Sequence, residues 1–186
     1  MDIHEAINGR RAVRSFTAEP VERETIARLI DAAVRAPNAI NQQPWTFTVV
    51  RDAALLDRIS DAARRHMLAS GGEGELPPRL RDELSDPHFQ IFYHAPVLVL
   101  ISAVERGPWI VEDCALAAEN LMLAAYAEGL GTCWIGFAQA YLQTPQGKAT
   151  VGLAEATVPV APIIVGHPAG WMPAVPRRPA QVHWID

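Results

Sequence analysis

Lysine is almost missing from this chain: among 186 residues there are fifteen arginines and one lysine, Lys148. Cysteine is scarce. Cys114 and Cys133 both lie in apolar runs, which suits buried reduced thiols better than a disulfide framework. The six histidines show no ligand spacing, and no Cys-x-x-Cys or His-x-x-x-His pair occurs, so no metal site is expected. The chain also lacks a Gly-x-Ser-x-Gly elbow and a Gly-x-x-x-x-Gly-Lys loop. Long apolar runs are absent: the uncharged stretch Ala95 to Val104 is half the roughly 20 residues that a membrane span requires. The N-terminus does not have the basic-then-apolar layout of a signal peptide. Positive charge is not in excess either. Sixteen basic against 21 acidic residues leave −5, a poor balance for holding nucleic acid or an anionic membrane. A soluble cytoplasmic protein is expected.

What is present is ordinary globular material, with 49% apolar and 20% charged residues in one domain's length. Apolar spacing predicts helices over 2–9, 22–35, 52–68 and 110–128, with a weaker one over 79–93. Strands are predicted at Trp45 to Val50, Pro96 to Ser102 and Val158 to Gly166. Cys133 to Phe137 reads as a short strand or loop, and Pro145 to Gly152 as a short helix. Ser70 to Pro78 is rich in Gly and Pro and reads as loop. Alanines crowd the helix at 110–128, which suits a close-packed centre, and Gly129 is placed to end it.

The last twenty residues form a separate case. Pro168, Pro173, Pro176 and Pro179 exclude helix. Trp171, Met172, Val175, Val182, Trp184 and Ile185 are too apolar for a disordered tail. An extended arm over 167–186, leaving a domain at 1–166 and wrapping a second subunit, reconciles the two.

Three constellations could carry chemistry. Arg10, Arg11 and Arg14 form one cationic cluster, and Arg177 with Arg178 another. Planar guanidinium groups are suited to a phosphate, although singly each cluster also reads as solvated surface charge. On a helical turn Arg11 and Arg14 would share a face. Pro37-Asn38-Ala39-Ile40-Asn41-Gln42-Gln43-Pro44 sets four carboxamides, each a donor and an acceptor, between two prolines. Such a loop can read the alternating edge of a pyrimidine dione, or can be a plain polar turn. Gly129-Leu130-Gly131-Thr132-Cys133-Trp134-Ile135-Gly136 lets backbone approach a ligand, or is a tight helix-to-strand turn.

In order along residues 10 to 179, four segments resemble the nitroreductase family of FMN-dependent NAD(P)H oxidoreductases. They are Arg10 to Phe16, Ala36 to Phe47, Gly129 to Gly136, and Pro176-Arg177-Arg178-Pro179. The resemblance implies an α+β fold, with a mixed central sheet flanked by helices. It implies an intertwined homodimer holding FMN at the interface, the Ala-rich helix central and the arm exchanged. It also implies roles by position. Arg10, Arg11 and Arg14 would hold the phosphate and ribityl hydroxyls, Ala12 would contribute backbone, and Arg177 and Arg178 would add phosphate contacts. Pro37, Asn38, Ala39 and Asn41 of the partner would line the flavin, with Gln43 supporting the loop. Trp134, Ile135 and Gly136 would run along the ring face. Phe89, Phe92 and Tyr93 would either cap a substrate pocket or belong to the core. The short stretch between residues 66 and 94 implies a small lid and an open site.

The implied activity is ping-pong hydride transfer from NAD(P)H to a nitroaromatic, quinone or enone. No catalytic side chain is required, because the flavin carries the chemistry. A non-catalytic flavin-binding or regulatory protein, and a specialised relative such as a reductive dehalogenase or flavin-fragmenting enzyme, are the competing readings.

Overall fold

The computed structural model describes residues 1–69 and 77–185, so most of the predicted loop at 70–78 lies outside the described residues. Its helices are α1 (Ile3–Gly9), α2 (Arg23–Ala33), α3 (Ala53–Ala69), α4 (Pro78–Ser85), α5 (Ile110–Ala127), α6 (Gly136–Leu142) and α7 (Pro145–Thr150), with a 3-10 turn at Ala39–Asn41. Its strands are β1 (Trp45–Val50), β2 (Val97–Ala103), β3 (Gly131–Trp134) and β4 (Val158–Gly166).

The strands form one sheet in the order β1-β2-β4-β3. Every strand pair is antiparallel, which corrects the mixed sheet implied by the resemblance. Among the described residues, parallel pairing is confined to a single bridge between Ala12 and Thr132. The central strands β2 and β4 are buried on both faces. Along β2, Val97, Val99 and Ile101 pack with α2 and α5, while Leu98 and Leu100 pack with α3 and α6. That alternation is the pleat of a strand covered on both sides. Helix α5 ends as Gly129 takes φ +78° and the Leu130 amide donates back to Ala125 O at 2.8 Å. This is a Schellman closure, and it delivers the chain directly into β3.

Two predicted elements differ. The helix expected over 79–93 stops at Ser85, because Pro87 disfavours helical backbone at Asp86. Beyond Trp134 the chain forms α6, which the reading of 133–137 as strand or loop did not foresee. After Gly166 there is no helix or strand among the described residues. Only the root of this tail is paired: the Thr17 amide donates to His167 O at 2.9 Å and the Ala169 amide to Ser15 O at 3.0 Å. Trp171 then meets the Tyr126 ring edge-on at 5.0 Å. Met172, Val175, Val182, Trp184 and Ile185 stand exposed, with 88% of Ile185 open to solvent.

Candidate functional site

The first arginine cluster is not helical. Helix α1 closes at Gly9, Arg10 is extended at φ −55° and ψ 137°, and the next residues run beside β3. The Val13 amide donates to Thr132 O at 2.9 Å. Arg11 and Arg14 therefore do not share a helical face. The approach is close because position 131 is glycine: a Cβ there would lie 2.8 Å from the Val13 side chain. The structure thus brings the first and third constellations together within one chain.

Their side chains differ in availability. Arg10 Nε lies 3.2 Å from Glu119 on α5. Arg11 is turned onto backbone, donating through Nη1 to Asn8 O at 2.6 Å and Arg10 O at 2.8 Å. The Nε atoms of Arg10 and Arg11 are buried and make no hydrogen bond. Arg14 is exposed and forms no ion pair among the described residues; its guanidinium sits 6.0 Å over the Tyr93 ring. Burial pushes the nearby Cys133 thiol up, and Arg14 and Arg10 pull it part of the way back.

The third constellation is tightly tied to the sheet. Trp134 closes β3 opposite Ile163, and the Ile135 amide donates to Pro162 O at 2.8 Å. Ile135 itself is a core side chain. Gly136 opens α6, where a backbone N–H has no intrahelical acceptor.

The amide loop is folded on itself. The Gln43 amide donates to Asn38 Oδ1 at 2.8 Å, and Gln43 Nε2 donates to Asn41 Oδ1 at 3.1 Å. Ile40, Asn41 and Gln43 all take left-handed backbone, at φ 46°, 58° and 47°. The loop also reaches another element. Asp113, on the first turns of α5, accepts the Ala39 amide at Oδ1, 2.9 Å away. This contact had no sequence signal beyond a lone carboxylate on the buried face of an apolar helix.

The loop and the arginine cluster lie at opposite corners of the sheet. Trp45 pairs with Ala103, which pairs with Val158 at the start of β4. Thr132 pairs with Val165 at the far end. Three strand spacings, about 14 Å, and a seven-residue offset, about 23 Å, separate them. Within one chain they do not converge. Nor, among the described residues, does any hydrogen bond or ion pair join Arg177 or Arg178 to the first cluster.

Of the three aromatics, Phe89 and Tyr93 line a cavity of about 730 Å³ together with Arg14, Leu80 and Phe137. Tyr93 has left-handed backbone at φ 53°, and its phenol is pushed up by burial against the opposing pull of Arg14. Phe92 is fully buried in the core beside Leu84 and Ile91, so of the two places open to it, pocket or core, it takes the core and is removed from the pocket. Leu80 and Phe137 were missed; both depend on α4 and α6 folding over this face.

Fold and site together define an α+β protein with its cationic segment and its amide loop at opposite corners of one antiparallel sheet. The nitroreductase family model matches residues 7–167, and the chain belongs to that family. A Methanothermobacter thermautotrophicus protein, provisionally named NADH dehydrogenase/NAD(P)H nitroreductase, is 29% identical over 174 residues, covering 91% of this chain and 78% of its own. The FMN reductase (NAD(P)H) of Bacillus subtilis is 28% identical over 195 aligned positions, covering 97% of this chain and 71% of its own. The crystal structure of a nitroreductase with bound FMN from Bacteroides fragilis matches with a TM-score of 0.86 at 23% identity, over 100% of both chains.

Proposed function

We propose that this chain is an FMN-dependent oxidoreductase. It draws on NAD(P)H, reduces nitroaromatic, quinone or enone acceptors by ping-pong, and works as an intertwined homodimer. The observation that carries this reading is the placement of Arg10 to Arg14 against Gly131 to Trp134, beside the cavity of Phe89 and Tyr93. The residues suit the cofactor. Arg11 Nε is buried without a hydrogen-bond partner and Arg14 forms no ion pair among the described residues, so an added phosphate or pyrimidine edge gives both an acceptor, whereas Arg10 Nε already lies 3.2 Å from Glu119.

When bound, FMN would supply the redox chemistry between NAD(P)H and the second substrate. The chain's own residues bind and orient. Arg10, Arg11, Arg14, Arg177 and Arg178 hold the phosphate and ribityl end, and Ala12 contributes backbone. Trp134, Ile135 and Gly136 run along the ring, where the Gly136 amide is the uncommitted donor. The Ile135 amide is already used by Pro162. Tyr93 keeps its proton, because burial raises its phenol, and offers an O–H donor at the pocket wall. Phe89 and Phe137 give planar acceptors an apolar seat.

A second copy completes the site. Pro37, Asn38, Ala39 and Asn41, with Gln43 in support, lie too far from the arginine cluster in one chain, so a partner supplies them. Residues 1–166 form the flavin domain and 167–186 the arm, whose exposed Trp184 and Ile185 then find cover. The test is anaerobic titration of the purified protein. A yellow chromophore bleached by NADH or NADPH and restored by a quinone supports the reading. Oxidised-flavin absorbance that persists with both donors overturns it.

A further inference from the structure

Three left-handed residues in a row of four make the amide loop an expensive conformation. Each such non-glycine residue is held in a strained backbone conformation. Ile40 is the worst case, since a branched Cβ suits that region least. It is also 78% exposed, so packing does not hold it there. The bonds from Gln43 to Asn38 and Asn41 lie inside the loop and would travel with it if it relaxed. The bond from the Ala39 amide to the Asp113 carboxylate is different: it crosses to α5, between partners 74 positions apart in the chain.

Asp113 is an unusual residue to find at that place. It is 3% exposed, with Cys114 next to it in the same core. Its Oδ2 is buried and has no hydrogen-bond partner among the described residues. A buried acceptor left unpaired is costly. An apolar residue would serve the packing of α5 better, so the carboxyl group has another use.

We propose that Asp113 is a positioning residue: through Oδ1 and the Ala39 amide it pins residues 39–43 to α5 in the left-handed form that presents Ala39 and Asn41 to the flavin. Asp113 does not touch the cofactor; it acts through the loop. This rests on the flavin-binding reading above. The tether itself does not, and the experiment separates the two.

The measurement compares D113N, which keeps an oxygen acceptor in place, with D113A, which has none. Amide hydrogen exchange on the apoprotein follows residues 39–43, and fluorescence titration follows FMN binding. In D113A the amides of Ala39 and Gln43 are expected to exchange at least tenfold faster, and FMN to bind at least tenfold more weakly. D113N is expected to restore both to within about threefold of the native chain. If D113A is insoluble, D113S replaces it, since its hydroxyl is too short to reach Ala39.

A merely structural role would lower the melting temperature and leave both loop protection and FMN affinity unchanged. That outcome overturns the proposal, as does a D113N protein no better than D113A. If the native chain binds no FMN, the flavin reading fails, while hydrogen exchange still decides the tether.

Discussion

At Gly131 a missing Cβ brings two site segments together. Gly131→Ala would push a methyl to 2.8 Å from Val13, itself fully buried, and neither strand can retreat from the sheet. The expected loss is about 1–3 kcal/mol by urea unfolding, with weaker FMN retention because Arg10 to Arg14 shift with Val13. Cys114 gives a second prediction at this scale. Burial, and then the Asp113 charge, raise its thiol from 9.0 to about 12. Below pH 9 the folded and unfolded chains both keep the proton. Between about 9 and 12 only the unfolded chain releases it, so stability falls as pH rises. Unfolding curves from pH 7 to 10.5 should show a steeper decline for the native chain than for C114A, and parallel curves would refute the shift. The arginines and amides could be read in the sequence because they fall in clusters. Asp113 could not, since one carboxylate among alanines says nothing about what lies 74 residues away.

Elements were legible where short-range signals agree. Trp45–Val50 and Val158–Gly166 match their predicted limits because β-branched runs end at prolines, charges or glycine. Helix α6 was missed because seven residues give too few repeats for a period, even with Ala138, Tyr141 and Leu142 buried. The antiparallel order was hidden for a related reason: a strand buried on both faces has the same continuous apolar pattern in either kind of sheet. Helix α4 depends on a remote residue. Arg64 of α3 donates through Nη1 to Leu84 O and Asp86 O, each at 3.0 Å, and so closes the end of α4. R64M leaves those carbonyls unpaired and should cost about 1–3 kcal/mol. Because α4 supplies Leu80 to the cavity, the KM for the acceptor should rise more than kcat falls. Steady-state kinetics with a quinone checks this, and a fall in kcat alone would contradict it.

For the whole molecule, the exposed tail is the main liability. Five large apolar side chains beyond Trp171 stand open along it, a surface that a soluble single copy rarely carries. Deleting 168–186 should therefore give a species that sediments as a monomer and loses FMN on gel filtration; a truncated dimer that stays yellow would show that the arm is not what joins the copies. The diagonal layout of the sheet also reaches into genetics. If each flavin takes its guanidinium groups from one polypeptide and its amide loop from the other, then R14A and N41A are defects of different halves. Homodimers of either variant would be inactive. Unfolded together and renatured, the two would form hybrids in which both faults fall on one crevice and the other is whole, so activity would return from two dead parents. Were both halves drawn from the same polypeptide, every crevice in the hybrid would carry one fault, and the mixture would stay silent.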